Sequence, residues 1–261
     1  MCKLLILQKH LPSRRDHLIE SAWEQMCALG ERDGFGAAWI TRDGRLAWRK
    51  SSSPLISGQL PAWADSFEAS RHAEMPSDGG WLLIHGRTAT CGVNLENTHP
   101  MLDNGRAALV HNGVVRSDSI HNVETTCDSE LLLRAWDQGG AKSLDQITGY
   151  FAFGLLIRRR DGWHAVVAKD DSAKLRIGHH KKFGWAWGTN DDVLEVAGVR
   201  GVASQRAMTA CVFAPDGSCD IQKFSKGREK ITSLARSWEV ASGARHASAW
   251  NGELFAGGGE R

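Results

Sequence analysis

The run Tyr150-Phe151-Ala152-Phe153-Gly154-Leu155-Leu156-Ile157, followed by Asp161-Gly162 and a second apolar run from Trp163 to Ala168, narrows the possible folds more than any other feature of this chain. A strand that is apolar at nearly every position is covered on both faces. Asp-Gly accepts the positive φ of a tight hairpin turn, and a hairpin pairs its strands antiparallel. The combination recurs where Phe35 to Ile40 returns through Asp43-Gly44 to Leu46-Ala47-Trp48, and where Ala210 to Phe213 turns at Pro215-Asp216-Gly217 towards Cys219 to Phe224. Burial on both faces and antiparallel pairing are satisfied together by two antiparallel sheets stacked face to face with helices outside. The expected fold class is therefore α+β, a four-layer αββα sandwich. Further strands are expected at Leu4 to Leu7, Leu175 to Gly178 and Phe183 to Trp187, extending the same sheets.

Helical spacing supplies the outer layers. Leu18, Ile19, Ala22, Trp23, Met26 and Leu29 fall on one face of a helix expected over 16 to 29, which Gly30 closes. A second helix is expected at 62 to 70. A third opens at Cys127-Asp128-Ser129-Glu130 and carries Leu131, Leu132, Leu133, Ala135 and Trp136, and a short one precedes Gly149.

The 261 residues, 42% of them apolar, can bury a large core. With 32 basic against 30 acidic residues, no global charge argues for nucleic acid or an anionic membrane. The six cysteines, at 2, 27, 91, 127, 211 and 219, show no metal-ligand spacing, so neither a metal nor another cofactor is expected. No apolar stretch has signal-peptide or membrane-helix length, which with free thiols points to a cytoplasmic protein. Residues 1 to 224 are expected to form the folded domain, and 225 to 261 a polar tail, loosely docked or partly disordered. Function must then come from a site.

Three short signatures crowd into the stretch from Trp81 to Gly113: His85-Gly86-Arg87-Thr88-Ala89-Thr90, Asn97-Thr98-His99-Pro100 and His111-Asn112-Gly113. The first follows the apolar run Trp81 to Ile84 and the last follows Ala107 to Val110, with a hairpin signal at Asp103-Asn104-Gly105 between them. The three are expected to converge on one sheet end. Together with Cys2, this ordered set resembles the class II glutamine amidotransferases, which are N-terminal-nucleophile hydrolases. The likeness runs from Cys2 to about Lys169, more faintly to 224, and is nearest to the short stand-alone branch of that family. The same αββα sandwich is what the resemblance implies.

Its chemical implications fit the residue types. With Met1 removed, Cys2 carries a thiol of ordinary pKa roughly 8.5 and an α-amine of about 7.7 to 8.0, a nucleophile and its base in one residue. The resemblance assigns the oxyanion hole to the side-chain amide of Asn112 and the backbone N–H of Gly113. It assigns the glutamine α-carboxylate to Arg87, whose planar fork binds carboxylates bidentately, with Thr90 as a further donor. Asp128 falls at the position that holds the α-ammonium. Each residue also has a plainer reading: a small buried cysteine, a turn at Asn112-Gly113, and an acidic helix start at Asp128. Thr88 and Cys91 depart from an aromatic and a histidine common in synthase-linked members, which bears on glutamine specificity.

The expected activity is hydrolysis of the glutamine side-chain amide through a γ-glutamyl thioester, with ammonia passing to a partner synthetase. The alternatives are a γ-glutamyl amide hydrolase acting on a modified small molecule, as in the ergothioneine-pathway branch, and a silent scaffold.

Overall fold

The computed structural model describes residues 2–10, 18–52, 80–90, 92–116, 127–180 and 184–225. The helix expected at 62 to 70, Cys91 and, apart from Ser225, the expected tail lie outside them. The described strands are β1 (Lys3–His10), β2 (Gly34–Ile40), β3 (Leu46–Ser51), β4 (Gly80–Arg87), β5 (Met101–Asp103), β6 (Ala107–Arg116), β7 (Thr148–Arg159), β8 (Gly162–Lys169), β9 (Arg176–His180), β10 (Gly184–Gly188), β11 (Gly201–Ser204), β12 (Thr209–Phe213) and β13 (Cys219–Lys223). The helices are α1 (Leu18–Ala28), α2 (Ser129–Gly139) and α3 (Asp191–Glu195), with a 3-10 segment at Gly140–Gln146.

Seven strands form one sheet in the order β11-β9-β10-β1-β4-β2-β3, and six form another in the order β13-β12-β8-β7-β6-β5. Neighbours pair antiparallel, as the turn chemistry requires. The late strands extend both sheets, β9 to β11 the first and β12 and β13 the second.

Side-chain alternation sorts the apolar residues into three layers. On the outer face of the first sheet, Leu5, Leu7, Phe35, Ala37, Trp39, Leu82 and Ile84 pack against Leu18, Ile19, Ala22, Trp23 and Met26 of α1. On the outer face of the second, Leu109, Phe151, Phe153 and Leu155 pack against Leu132, Ala135 and Trp136 of α2. Between the sheets lie Leu4, Ile6, Leu83, Val110, Ala152, Leu156, Val167 and Trp187. Helix, sheet, sheet, helix is the expected sandwich. Each fully buried Leu, Ile or Phe contributes on the order of 1.5–3 kcal/mol.

The layer between the sheets has a fixed register. A Cβ built on Gly154 would come within 2.5 Å of Ile6 Cδ1 and 3.3 Å of Leu83 Cδ2, so β1 and β4 lie over β7 at a residue without a side chain. Elsewhere one sequence expectation needs correcting. Asn104 and Gly105 do turn a hairpin, at φ 41° and 72°, but its first strand is the three-residue β5 and not the strand that carries Arg87. That strand, β4, belongs to the other sheet. The signatures meet across the gap between two sheets, not at the end of one. Among the described residues no helix is long and apolar enough to cross a membrane.

Candidate active site

Three strands bring Cys2 and the first and last signatures to one end of the inter-sheet layer. In β4, Leu83 faces the other sheet, so His85 and Arg87, at the same parity, face it too. In β1 the same parity carries Leu4, Ile6 and, one step before the strand, Cys2. Lys3 pairs with Gly86 and Leu4 with His85, and continuing that register sets Cys2 beside Arg87. From the second sheet, Val110 and therefore Asn112 face inward on β6. His85 Nε2 donates to the carbonyl of His111 at 2.8 Å, which fixes the sense in which the two sheets run towards the site.

Cys2 is partly exposed, and its Sγ donates to the carbonyl of Thr88 at 3.3 Å. Burial pushes its thiol up to about 11, and the charge of Glu31 adds to the rise. At neutral pH the thiol therefore keeps its proton until a base takes it.

Glu31 is a member of the site that the sequence reading missed. It is 1% exposed, accepts from Lys3 Nζ at 2.7 Å, and takes a hydrogen bond from the Thr88 hydroxyl. Asp33, two residues on, accepts the N–H of Ala89 at 2.7 Å, while its own N–H donates to the carbonyl of Arg87 at 2.9 Å. The loop after α1 thus fixes residues 87 to 89 from outside the strand.

Arg87 is buried, and its Nη2 donates to the carbonyl of Gly92 at 3.0 Å. Asn97 Nδ2 donates to the same carbonyl at 3.3 Å, joining the second signature to the first. Thr90 is exposed, three residues beyond Arg87. Asn112 is 3% exposed, yet its Oδ1 has no hydrogen-bond partner among the described residues. Gly113 stands at φ +147°, where a Cβ would come within 2.1 Å of the Tyr150 carbonyl and 2.8 Å of His111 Nε2. Only glycine fits there.

Asp128 occupies the N-cap position of α2, but its carboxylate makes no capping bond. Its Oδ2 instead accepts the N–H of Val115 at 2.9 Å, tying the helix start to β6 just past Gly113. Among the described residues, the contact to its Oδ1 is from the Cys127 thiol at 3.7 Å.

Behind this edge sits a buried histidine cluster. The hydroxyl of Ser129 bridges His99 Nε2 and His111 Nδ1, each at 2.9 Å. One hydroxyl proton serves two rings, so one ring accepts from it and the other donates to it. His85 lies against His99 with ring centroids 4.1 Å apart and planes tilted by 32°. Burial drives His85 down to about 3 and lowers His99 and His111 as well. These rings are neutral struts linking β4, β6, α2 and the loop of the cis His99-Pro100 bond. Among the described residues no group of three or more His, Cys, Asp or Glu side chains is placed to hold a metal.

Stacked antiparallel sheets between helices, with a cysteine at the start of the strand beside the inter-sheet opening, define a protein of the N-terminal-nucleophile hydrolase fold. Residues 71–179 match a family model described as a glutamine amidotransferase domain. Over 167 residues the chain is 34% identical to the glutamine--fructose-6-phosphate aminotransferase (isomerizing) of Leifsonia xyli subsp. xyli (strain CTCB07), covering 56% of this chain and 25% of that one. Among solved structures it is similar to the glutamine phosphoribosylpyrophosphate (PRPP) amidotransferase from B. subtilis complexed with ADP and GMP, with TM-score 0.60, 17% identity and coverage of 85% of this chain and 49% of that one. An allosteric regulatory enzyme of purine biosynthesis gives TM-score 0.61 at 16% identity, again over 85% of this chain and 49% of the other. At such identities the structural likenesses speak for the fold alone. The chain spans about a quarter of the curated relative (25%) and about half of each solved chain (49%). Over residues 71–179 the chain is thus similar to the glutamine amidotransferase domain, and the likenesses support the class II type.

Proposed function

We propose that this domain is a glutaminase module, hydrolysing the side-chain amide of glutamine with Cys2 as nucleophile and delivering ammonia to a partner synthetase. The observation that carries the reading is the convergence of Cys2 and Arg87 from one sheet with Asn112 and Gly113 from the other at one end of the inter-sheet layer. Once Met1 is removed, the Cys2 amine takes the thiol proton and sulfur attacks the amide carbon. Asn112 Nδ2 and the Gly113 N–H donate to the resulting oxyanion, and one such donor is worth about 2.7–4 kcal/mol in the transition state. The C–N bond then breaks, the amine returns the proton, and ammonia leaves. Water cleaves the γ-glutamyl thioester to release glutamate. Arg87, with Thr90, binds the α-carboxylate and Asp128 the α-ammonium, which sets the length of amino acid that can place its amide at Cys2.

The test is to measure ammonia and glutamate formed from glutamine by the chain with Met1 removed, beside the same chain bearing an uncleavable N-terminal tag. The tag leaves every side chain in place but turns the amine into an amide without basicity. Turnover by the processed chain alone is expected. Equal turnover by both would end the N-terminal-nucleophile reading, and turnover only of N-substituted γ-glutamyl amides would identify a γ-glutamyl amide hydrolase instead.

A further inference from the structure

The chain has one tyrosine, and it stands opposite the nucleophile. Ile6 lies over Gly154, and both β1 and β7 run away from the site, so stepping back four residues along each strand brings Cys2 over Tyr150. The step is about 13 Å on either strand, and the sheets are about 10 Å apart, a gap that a tyrosine side chain crosses for most of its width. Tyr150 shares the parity of Ala152 and Leu156, is half-buried, and packs on the inter-sheet core.

Its main chain is equally constrained. Tyr150 pairs with Val114, and its carbonyl occupies the space that a side chain on Gly113 would need. The residue after Val114 gives its N–H to Asp128, so the carboxylate sits at the strand end beside Tyr150. Burial raises the phenol, and the charges of Cys2, Asp128 and Asp170 act on it in the same direction. The hydroxyl is thus a neutral donor and acceptor between the nucleophile and an acidic corner.

We propose that Tyr150 is a specificity-determining residue of the γ-glutamyl site, its hydroxyl binding the α-amino end of the substrate together with Asp128. This rests on the glutaminase reading for the identity of the substrate. A phenol oxygen offers lone pairs to an ammonium whichever way its proton points. The ammonium finds one carboxylate oxygen of Asp128 and the phenol oxygen on the same side, while Arg87 takes the other end of the amino acid from the facing sheet.

Tyr150→Phe keeps the ring and removes only the hydroxyl. In the full chain with Met1 removed, KM for glutamine should rise ~10-fold, the scale of one hydrogen bond to a charged group, with kcat within a factor of about three. For 4-carbamoylbutanoate, which is glutamine without its α-amino group, wild type and variant should be alike. Binding of glutamate and of glutarate, measured calorimetrically, should divide in the same way. Equal weakening for compounds with and without the amino group, or no weakening for either, overturns the proposal. If the wild type binds glutamate but releases no ammonia from glutamine, the glutaminase reading falls while the binding comparison still decides the role of Tyr150. If it neither binds glutamate nor turns over glutamine, both are overturned.

Discussion

Acid should unfold this protein through its histidines before its carboxylates titrate. His85, His99 and His111 are buried and neutral, with His85 Nδ1, His99 Nδ1 and His111 Nε2 lacking hydrogen-bond partners among the described residues. Their folded pKa values lie below the ordinary value, His85 at about 3, with burial the leading cause. The unfolded chain therefore binds more protons, and stability falls as pH drops below the unfolded value of about 6.5 towards the folded ones. If all three rings stay neutral in the fold, the loss from pH 7.5 to 5.5 is about 4 kcal/mol, set against a typical total of about 5–15 kcal/mol. Urea unfolding followed by tryptophan fluorescence at pH 7.5, 6.5 and 5.5 should show the midpoint falling by about 1 M or more. His85→Gln should reduce the pH dependence by roughly a third of this amount, one proton of three. A midpoint flat over this range would refute the argument and mean that the cluster opens to admit protons without unfolding.

Asn112→Leu, nearly isosteric, should cost ~100-fold or more in turnover, the scale of one oxyanion donor. Because it removes a buried oxygen without a partner among the described residues, it should not lower, and should even raise, the thermal midpoint by about 2–4 °C; lost stability with retained turnover would make Asn112 a strut. Arg87→Ala and Asp128→Ala should slow labelling of Cys2 by a glutamine-analogue electrophile while iodoacetamide still labels it, and unchanged glutamine kinetics in both would remove the assignment of the amino-acid end. With Met1 retained and the thiol at about 11, iodoacetamide labelling should climb with pH throughout the range from 7 to ~10, and a plateau near pH 8 would contradict the burial argument.

How far the sequence could be read depended on whether a residue's role is local. β7 and β8 were legible because they are apolar at nearly every position and are joined by Asp161-Gly162, and α1 because its buried stripe is the one its spacing announces. β11 was not, being a four-residue strand on the sheet edge without an apolar run. α3 was missed although Asn190 caps it, accepting the N–H of Val193 at 3.2 Å. Five residues carry too little periodicity. At the site, the signature residues were visible as ordered short words. The facing of the sheets was not, since a hairpin signal announces a turn but not the partner of the strand beyond it. Glu31 and Tyr150 escaped for the same reason: one is a carboxylate in a loop, the other the start of an apolar run. Only the pairing of β1 with β4 and the stacking of that sheet over β7 make them neighbours of Cys2.

Gly154 works as a spacer. In the proposed site the gap for the substrate lies between Cys2, four residues from Ile6, and Asn112, two residues from Val110, which pairs with Gly154. At that crossing nothing but a hydrogen atom separates the backbone of β7 from the side chains of β1 and β4. A methyl group at 154 would press on the ends of the Ile6 and Leu83 side chains, and whatever part of that strain the sheets take up would widen the mouth between the proposed nucleophile and oxyanion donors. The aperture of the proposed site is thus tuned from about 13 Å inside the sandwich, at a position outside the site itself.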